Sequence, residues 1–289
     1  MRWVFIALVL LVAVAVSSVS GRPASTDVVR FRVATFNIHR GADRQERYDI
    51  ERTIRAIASF DADLVGLQEV IRNHADFGCD DQPALIVAGL RRLTGRPWTS
   101  VYARAWNTEN RDCLRSGRGD GVETEGPAFF APERIIASKS IRLSERRLGL
   151  AARVASMPGV SVGVTHLSPS RDNQAGRARE IAVLLPWTRK HGIGLLLGDL
   201  NAAPDAIELG PVGSYYRDSW SEATKRGLTP GLDSGGTFGG RRRRIDYVFF
   251  DPDVDLTLES VRVIDTSLTG LGEVSAHRPV VATFRRTAR

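Results

Sequence analysis

Three observations predict an α/β fold. Short apolar runs bounded by Gly, Asp or polar turns read as buried strands, most clearly residues 193–197 and 64–67. Other stretches carry an apolar stripe at helical spacing, with Ile50, Ile54 and Ile57 in one and Ala178, Ile181 and Leu185 in another. The two patterns alternate along the chain, which is the order of an α/β protein.

Val29, Phe31 and Val33 alternate with Arg30 and Arg32, a half-buried strand that runs on to Asn37. A helix is predicted over 48–59, stopped by Asp61-Ala62-Asp63, and a second buried strand follows and ends on Glu69. Residues 72–126 then form a long polar stretch with a helix at 84–93, a strand at 98–103 and both cysteines; insertions of this length usually carry binding or lid functions. From 128 to 164 the pattern is mostly β, with strands around 135–136, 148–154 and 160–164 and a tight turn at Met157-Pro158-Gly159. A helix over 173–190 leads into the 193–197 strand. After a Gly-rich loop at 231–240 and four arginines at 241–244, strands at 245–250, 256–263 and 280–284 close the chain. No change of composition divides residues 28–289, so they are read as one domain.

The 289 residues are 43% hydrophobic, enough for a large core. Arg2, an apolar run over 3–16 and the small residues Ser18-Val19-Ser20 have the layout of a secretory signal peptide, residues 1–20, with cleavage near Ser20–Gly21; residues 21–27 read as a flexible lead-in. The apolar run is short for a membrane span, an uncleaved anchor being the alternative, and no later run is long enough to cross a bilayer. Secretion or residence in the cell envelope is therefore expected. In such a compartment Cys79 and Cys113 are expected to form one disulfide, with two separate thiols as the alternative. The net charge of +7 favours anionic partners such as nucleic acid, phospholipid headgroups or phosphorylated metabolites, although a solvated Arg-rich surface gives the same figure. A monomer is the expected state.

Six polar sites stand at predicted strand ends or starts: Asn37, Glu69, His166, Asp199 with Asn201, Asp246 and His277. Strand ends of α/β proteins converge on one edge, where sites are usually found. If the chain stays extended beyond the strand, Asp199 and Asn201 point the same way, a carboxylate beside a carboxamide. The plainer reading is a turn in which they cap their own backbone.

The blocks Thr35-Phe36-Asn37-Ile38, Leu67-Gln68-Glu69-Val70, Thr165-His166-Leu167, Gly198-Asp199-Leu200-Asn201, Ile245-Asp246-Tyr247 and Ser275-Ala276-His277-Arg278-Pro279-Val280 occur in that order. Together the set resembles the signature blocks of the endonuclease/exonuclease/phosphatase superfamily over about residues 30–285. The resemblance implies a four-layer α/β sandwich, two packed mixed β-sheets flanked by helices. It also implies a metal-dependent phosphoric ester hydrolase. Glu69 then resembles the principal Mg²⁺ ligand, with Mn²⁺ as the alternative ion, and Asn37 the residue beside metal and scissile phosphate. Asp199 resembles the acid that activates the attacking water, Asn201 and His166 resemble donors to the phosphoryl oxygens, and His277 with Asp246 resembles the family's histidine–carboxylate pair.

Independently of the family, phosphodiester hydrolysis needs an oriented water and positive charge where negative charge grows, and no Ser, Cys or Lys nucleophile motif is visible. One block departs from the family, which usually has Asp where this chain has Ala276. The missing carboxylate implies weaker metal binding, a single ion, or a retired site that only binds phosphate. Nucleic acid is the first substrate hypothesis, because Arg241 to Arg244 precede Asp246 and arginine forks hold phosphates well. A phospholipid headgroup of the sphingomyelin type is the second, and an exposed face is the plainer account of the arginines. His39, Arg40 and Arg244 are the candidate substrate contacts at the rim.

Overall fold

Alternation of side chains along the strands sorts most of the apolar residues into three large cores and so sets the layers. The computed structural model describes residues 28–109, 111–157, 159–169, 173–229, 235–239 and 243–287. The first half runs β1 (Val28–Asn37), α1 (Ile50–Ser59), β2 (Leu64–Arg72), α2 (Gln82–Thr94), β3 (Thr99–Tyr102), β4 (Trp106–Glu109), α3 (Asp112–Arg115) and β5 (Val122–Ala131). The second runs β6 (Ile135–Ser144), β7 (Arg147–Val154), β8 (Ser161–His166), α4 (Gln174–Lys190), β9 (Ile193–Asp199), α5 (Gly210–Gly213), β10 (Arg217–Asp218), α6 (Ser219–Lys225), β11 (Asp246–Phe250), β12 (Thr257–Val263) and β13 (Val280–Thr287).

Among the described residues, one mixed sheet has the order β12-β13-β1-β2-β5-β3, with β4 also on β5, and the other β10-β11-β9-β8-β7-β6. Phe31 and Val33 of β1 and Phe284 of β13 meet Val164, Leu195, Leu197 and Val248 of the other sheet in the central core. Their neighbours Ala34, Phe36, Val65 and Leu67 face the opposite way, onto Ile54, Ile57, Ile86 and Leu90 of α1 and α2. Leu196, Tyr247 and Phe249 do the same beyond the second sheet, against Ile181, Leu184 and Leu185 of α4. Helix, sheet, sheet and helix make the four layers that the resemblance implies. At Gly66 the sheets leave no room for a side chain: a Cβ would stand 2.9 Å from Val164 Cγ2 and 3.0 Å from Leu197 Cδ1. No described helix is long and apolar enough to cross a membrane.

The polar stretch 72–126 differs from the sequence reading. It holds β4 and α3, and β5 already begins at Val122, within residues too polar to read as a strand. The polarity is satisfied by partners distant in sequence: Glu123 meets His74 at 2.7 Å, and Tyr102 Oη donates to Thr124 Oγ1 at 3.0 Å. The expected Cys79–Cys113 disulfide is present, spanning 34 residues and tying the start of α2 to α3. Closing a loop of that length removes about 4 kcal/mol of chain entropy from the unfolded state. The Cys79→Ser/Cys113→Ser variant is therefore expected to melt about 10 °C lower by calorimetry, with its fold retained.

Candidate active site

Register places the first three groups. β9 pairs in parallel with β8, so His166 lies opposite Asp199, and antiparallel with β11, so Asp246 lies opposite Asp199 from the other side. Residues directly opposite on neighbouring strands share a face, so two carboxylates and an imidazole end in one row at the sheet edge. Asn37, at the end of β1, reaches across from the other sheet and donates through Nδ2 to Asp199 Oδ2 at 3.2 Å and Glu69 Oε1 at 3.0 Å.

Glu69 arrives by a route the sequence reading did not anticipate. β2 does not end there but continues to Arg72, and the β2–β5 register shifts between Leu67 and Val70. Glu69 sits in this bulge at φ 55°, outside the ordinary strand range. A bulge re-aims one side chain without ending the strand, and a positive φ in a non-glycine residue is a strain that functional sites tolerate.

Asn201 also corrects an expectation. Its φ of 52° is left-handed, so the extended geometry does not persist beyond Asp199. The backbone N–H of Asn201 instead donates to Asp199 Oδ1 at 2.9 Å, the turn of the plainer reading. The turn still delivers its amide: Asn201 Nδ2 lies 3.1 Å from His166 Nε2 and donates to the Leu167 carbonyl at 3.0 Å.

His277 comes from the loop before β13. Ser275 Oγ donates to the Asn37 carbonyl at 2.8 Å and accepts from the His277 N–H at 3.1 Å, which fixes the loop to the end of β1. The imidazole then lies between two carboxylates, with Nδ1 3.0 Å from Asp246 Oδ2 and Nε2 3.8 Å from Asp199 Oδ2. Phe238 packs on the ring at 4.7 Å, and Thr237 Oγ1 accepts from the N–H groups of Ile245 and Asp246.

Burial and neighbours push the titrations apart. Burial, and then the charge of Asp246, raise the Asp199 carboxyl to about 7. Burial disfavours the His277 imidazolium, but Asp246 and Asp199 outweigh it and raise the ring to about 9. Burial and the Arg147 guanidinium lower His166 to about 3, so this ring is neutral. Burial would raise the Glu69 carboxyl, but His166, the Asn37 hydrogen bond, His277 and Arg40 bring it to about 2. With His166 neutral, the last three keep Glu69 ionised.

The donor set suits a divalent cation. Asp199 and Asp246 place carboxylate oxygens within 4.8 Å of each other and of the His277 ring, which as an imidazolium is not itself a ligand, and Glu69 and Asp199 crowd around the single Asn37 amide. Buried carboxylates packed this closely are relieved by a cation, and hard oxygens favour Mg²⁺ or Mn²⁺. With Asp246 already on its Nδ1, His277 keeps only Nε2 facing the cluster.

The rim candidates divide. Arg40 is brought in, its Nε 3.7 Å from Glu69 Oε2 and its carbonyl held by Gln82 Nε2 at 2.6 Å. The His39 ring turns toward Glu46 at 3.5 Å, while its N–H donates to Asn37 Oδ1 at 3.0 Å. Arg244 is not brought in: it pairs with Asp218 at 2.6 Å, contacts Ser221 and lies over the Tyr247 ring, a structural use of its charge. Arg241 and Arg242 lie outside the described residues. Ala276 faces a recess beside His277, where Glu273 pairs with Arg44 at 2.7 Å.

The structure adds residues the sequence reading missed. Arg147, first in β7, places Nη1 3.0 Å from His166 Nδ1. Glu125 of β5 lines the same cleft as Glu69 and His166, and burial with the Glu69 charge raises it to about 7. Gln82 holds both Arg40 and the Ile71 N–H that follows the bulge. No periodicity or motif marks these residues, because their placement depends on which strands become neighbours.

The endonuclease/exonuclease/phosphatase family model matches residues 34–267, which includes all of these groups except the Ser275–His277 loop. The chain belongs to the endonuclease/exonuclease/phosphatase family. It is therefore a hydrolase of phosphate esters, in a family whose members generally depend on divalent metal. A solved endonuclease/exonuclease/phosphatase protein from Beutenbergia cavernae is 23% identical, with TM-score 0.67 over 90% of this chain and 72% of that one. The human Nocturnin catalytic domain, solved with a bound sulfate anion, is 19% identical with TM-score 0.62 over 89% of this chain and 98% of that one. A mannosyl-6-phosphatase from Bacteroides thetaiotaomicron is 14% identical with TM-score 0.59 over 88% and 99%. At these identities the likeness is one of fold. Among curated proteins no match is found.

Proposed function

We propose that this chain is an exported, Mg²⁺-dependent phosphodiesterase that cleaves nucleic acid by attack of an activated water. The observation that supports this most is the Asp246–His277–Asp199 row, a buried imidazole between two carboxylates at a sheet edge, with Asn37 bridging Asp199 to Glu69.

Each group then has a role set by its chemistry. Asp199, raised toward neutrality, takes a proton from water and orients it. His277, kept as imidazolium by Asp246, places positive charge and an N–H where the phosphoryl oxygens gain charge. Neutral His166 faces Arg147 at Nδ1 and the Asn201 amide at Nε2, two donors for one acceptor nitrogen. With Nδ1 accepting from Arg147, the ring's N–H is on Nε2, beside Asp199 Oδ2 at 3.5 Å, and would pass from that carboxylate to a phosphoryl oxygen when substrate binds. Glu69, with Asn37 beside it, would hold the cation, which supplies Lewis acidity when bound. Ala276 leaves the other donors intact, so turnover is retained.

Export is supported by the signal-like residues 1–20 and by the disulfide, which suits an oxidising compartment. The test uses the mature chain from Gly21 with Mg²⁺, Mn²⁺ or chelator, against plasmid DNA, RNA, sphingomyelin and bis(p-nitrophenyl) phosphate. Metal-dependent cleavage, fastest on nucleic acid and weakening steeply with salt, is expected. Faster hydrolysis of sphingomyelin would move the substrate to phospholipid, and phosphate binding without turnover would mark a retired site.

A further inference from the structure

We propose that Arg146 and Arg147, at the turn into β7, form an anion subsite that holds the phosphate next to the scissile one. The substrate is thereby a strand with phosphates on either side of the cleaved bond. The inference rests on the phosphodiesterase reading and deepens it.

The geometry carries it. Asp199 Oδ2 lies 3.5 Å from His166 Nε2, and Arg147 Nη1 lies 3.0 Å from the opposite nitrogen of the same ring. One imidazole therefore separates the water-activating carboxylate from a guanidinium. Only one of Arg147's five N–H donors is directed at His166. Arg146, exposed beside it, lies over the half-buried Trp106 ring with Cζ 5.1 Å from the centroid. Both arginines line the cleft that also holds Glu69 and His166, so their charge is continuous with the reacting centre.

Their pairing state separates them from the other arginines near the site. Among the described residues, neither guanidinium has a carboxylate within 4 Å, whereas Arg244 is paired at 2.6 Å and Arg40 at 3.7 Å. Glu125, on the same wall, meets the Trp106 indole. Arg147 feels the charge of Glu125 in the same cleft but makes no ion pair with it, and two forks without a carboxylate in contact suit a phosphate, which an arginine binds in bidentate fashion. A ligand with one phosphate would reach the reacting centre and leave this pair unused. A nucleic-acid strand reaches both, and contacts of this kind set position rather than sequence.

The test is a cycle between substrate and protein. A single-stranded oligonucleotide with one cleavable linkage is compared with its counterpart bearing neutral methylphosphonates at the flanking positions. The wild type is expected to lose about tenfold in kcat/KM on neutralisation. The Arg146→Ala/Arg147→Ala variant, checked for its fold by circular dichroism, is expected to lose less than twofold on the same change. Arg147→Lys in the Arg146 background keeps the charge and should keep most of the sensitivity. Equal losses in wild type and double variant, or none in wild type, overturn the subsite and leave Arg147 as a positioning residue for His166. If the wild type cleaves neither the oligonucleotide nor bis(p-nitrophenyl) phosphate with any metal, the phosphodiesterase reading falls and takes the subsite with it.

Discussion

Asp199→Ala is expected to lower metal-dependent turnover by roughly a hundred- to ten-thousand-fold, the span of a general base. Asp199 touches every part of the site. It receives Asn37 from the other sheet, faces His166 and His277 from both sides, and caps the turn that places Asn201. Removing it takes away the proton acceptor and also frees the Asn201 turn. Asp199→Asn separates the two effects: it keeps the shape, so a loss as large as that of Ala assigns the effect to the charge. Single-turnover rates at saturating substrate read this directly. Retention of more than a tenth of wild-type activity in either variant would remove Asp199 from the chemistry.

Asp246→Asn is the second large effect, with an expected loss of about a hundred- to ten-thousand-fold in kcat, as for other histidines deprived of an orienting carboxylate. It also changes the pH profile. In wild type, activity requires Asp199 without its proton and His277 with one. With carboxyl and imidazole titrating at about 7 and about 9, the profile is bell-shaped, and a bound cation moves the acid limb downward. The basic limb reports the loss of the His277 proton. Asp246, the stronger of the two carboxylates raising that ring, is removed in the variant, so the basic limb moves to lower pH. A basic limb that stays in place while kcat falls would show that Asp246 acts on something other than the His277 charge.

The plan of the molecule was legible because its elements are locally encoded. The stripe at Ile50, Ile54 and Ile57 gives α1, and the run at 193–197 gives β9, since burial of one face or of both leaves its period in the chain. The stretch 122–125 left no such trace, because polar residues satisfied by distant partners look like a loop until the partners are known. At the site, Asp199, His166, Asp246 and His277 announced themselves as polar residues at strand ends in an ordered set of blocks. Arg244 shared the composition of a phosphate contact, but Asp218 claims it.

The sequence by itself determined the alternation of strands and helices, the Cys79–Cys113 pair and most of the chemical groups, because periodicity and residue type are local properties, while the four-layer plan came from the resemblance of its ordered blocks to a known family. Only the tertiary structure decided how those groups meet. Strand order made Asp246 and His166 neighbours of Asp199, a bulge turned Glu69 inward, and a left-handed turn re-aimed Asn201. It also brought Arg147 from another strand to His166. The physical reason is that contact across strands depends on register and local backbone strain, and neither is written in the spacing of residues along the chain.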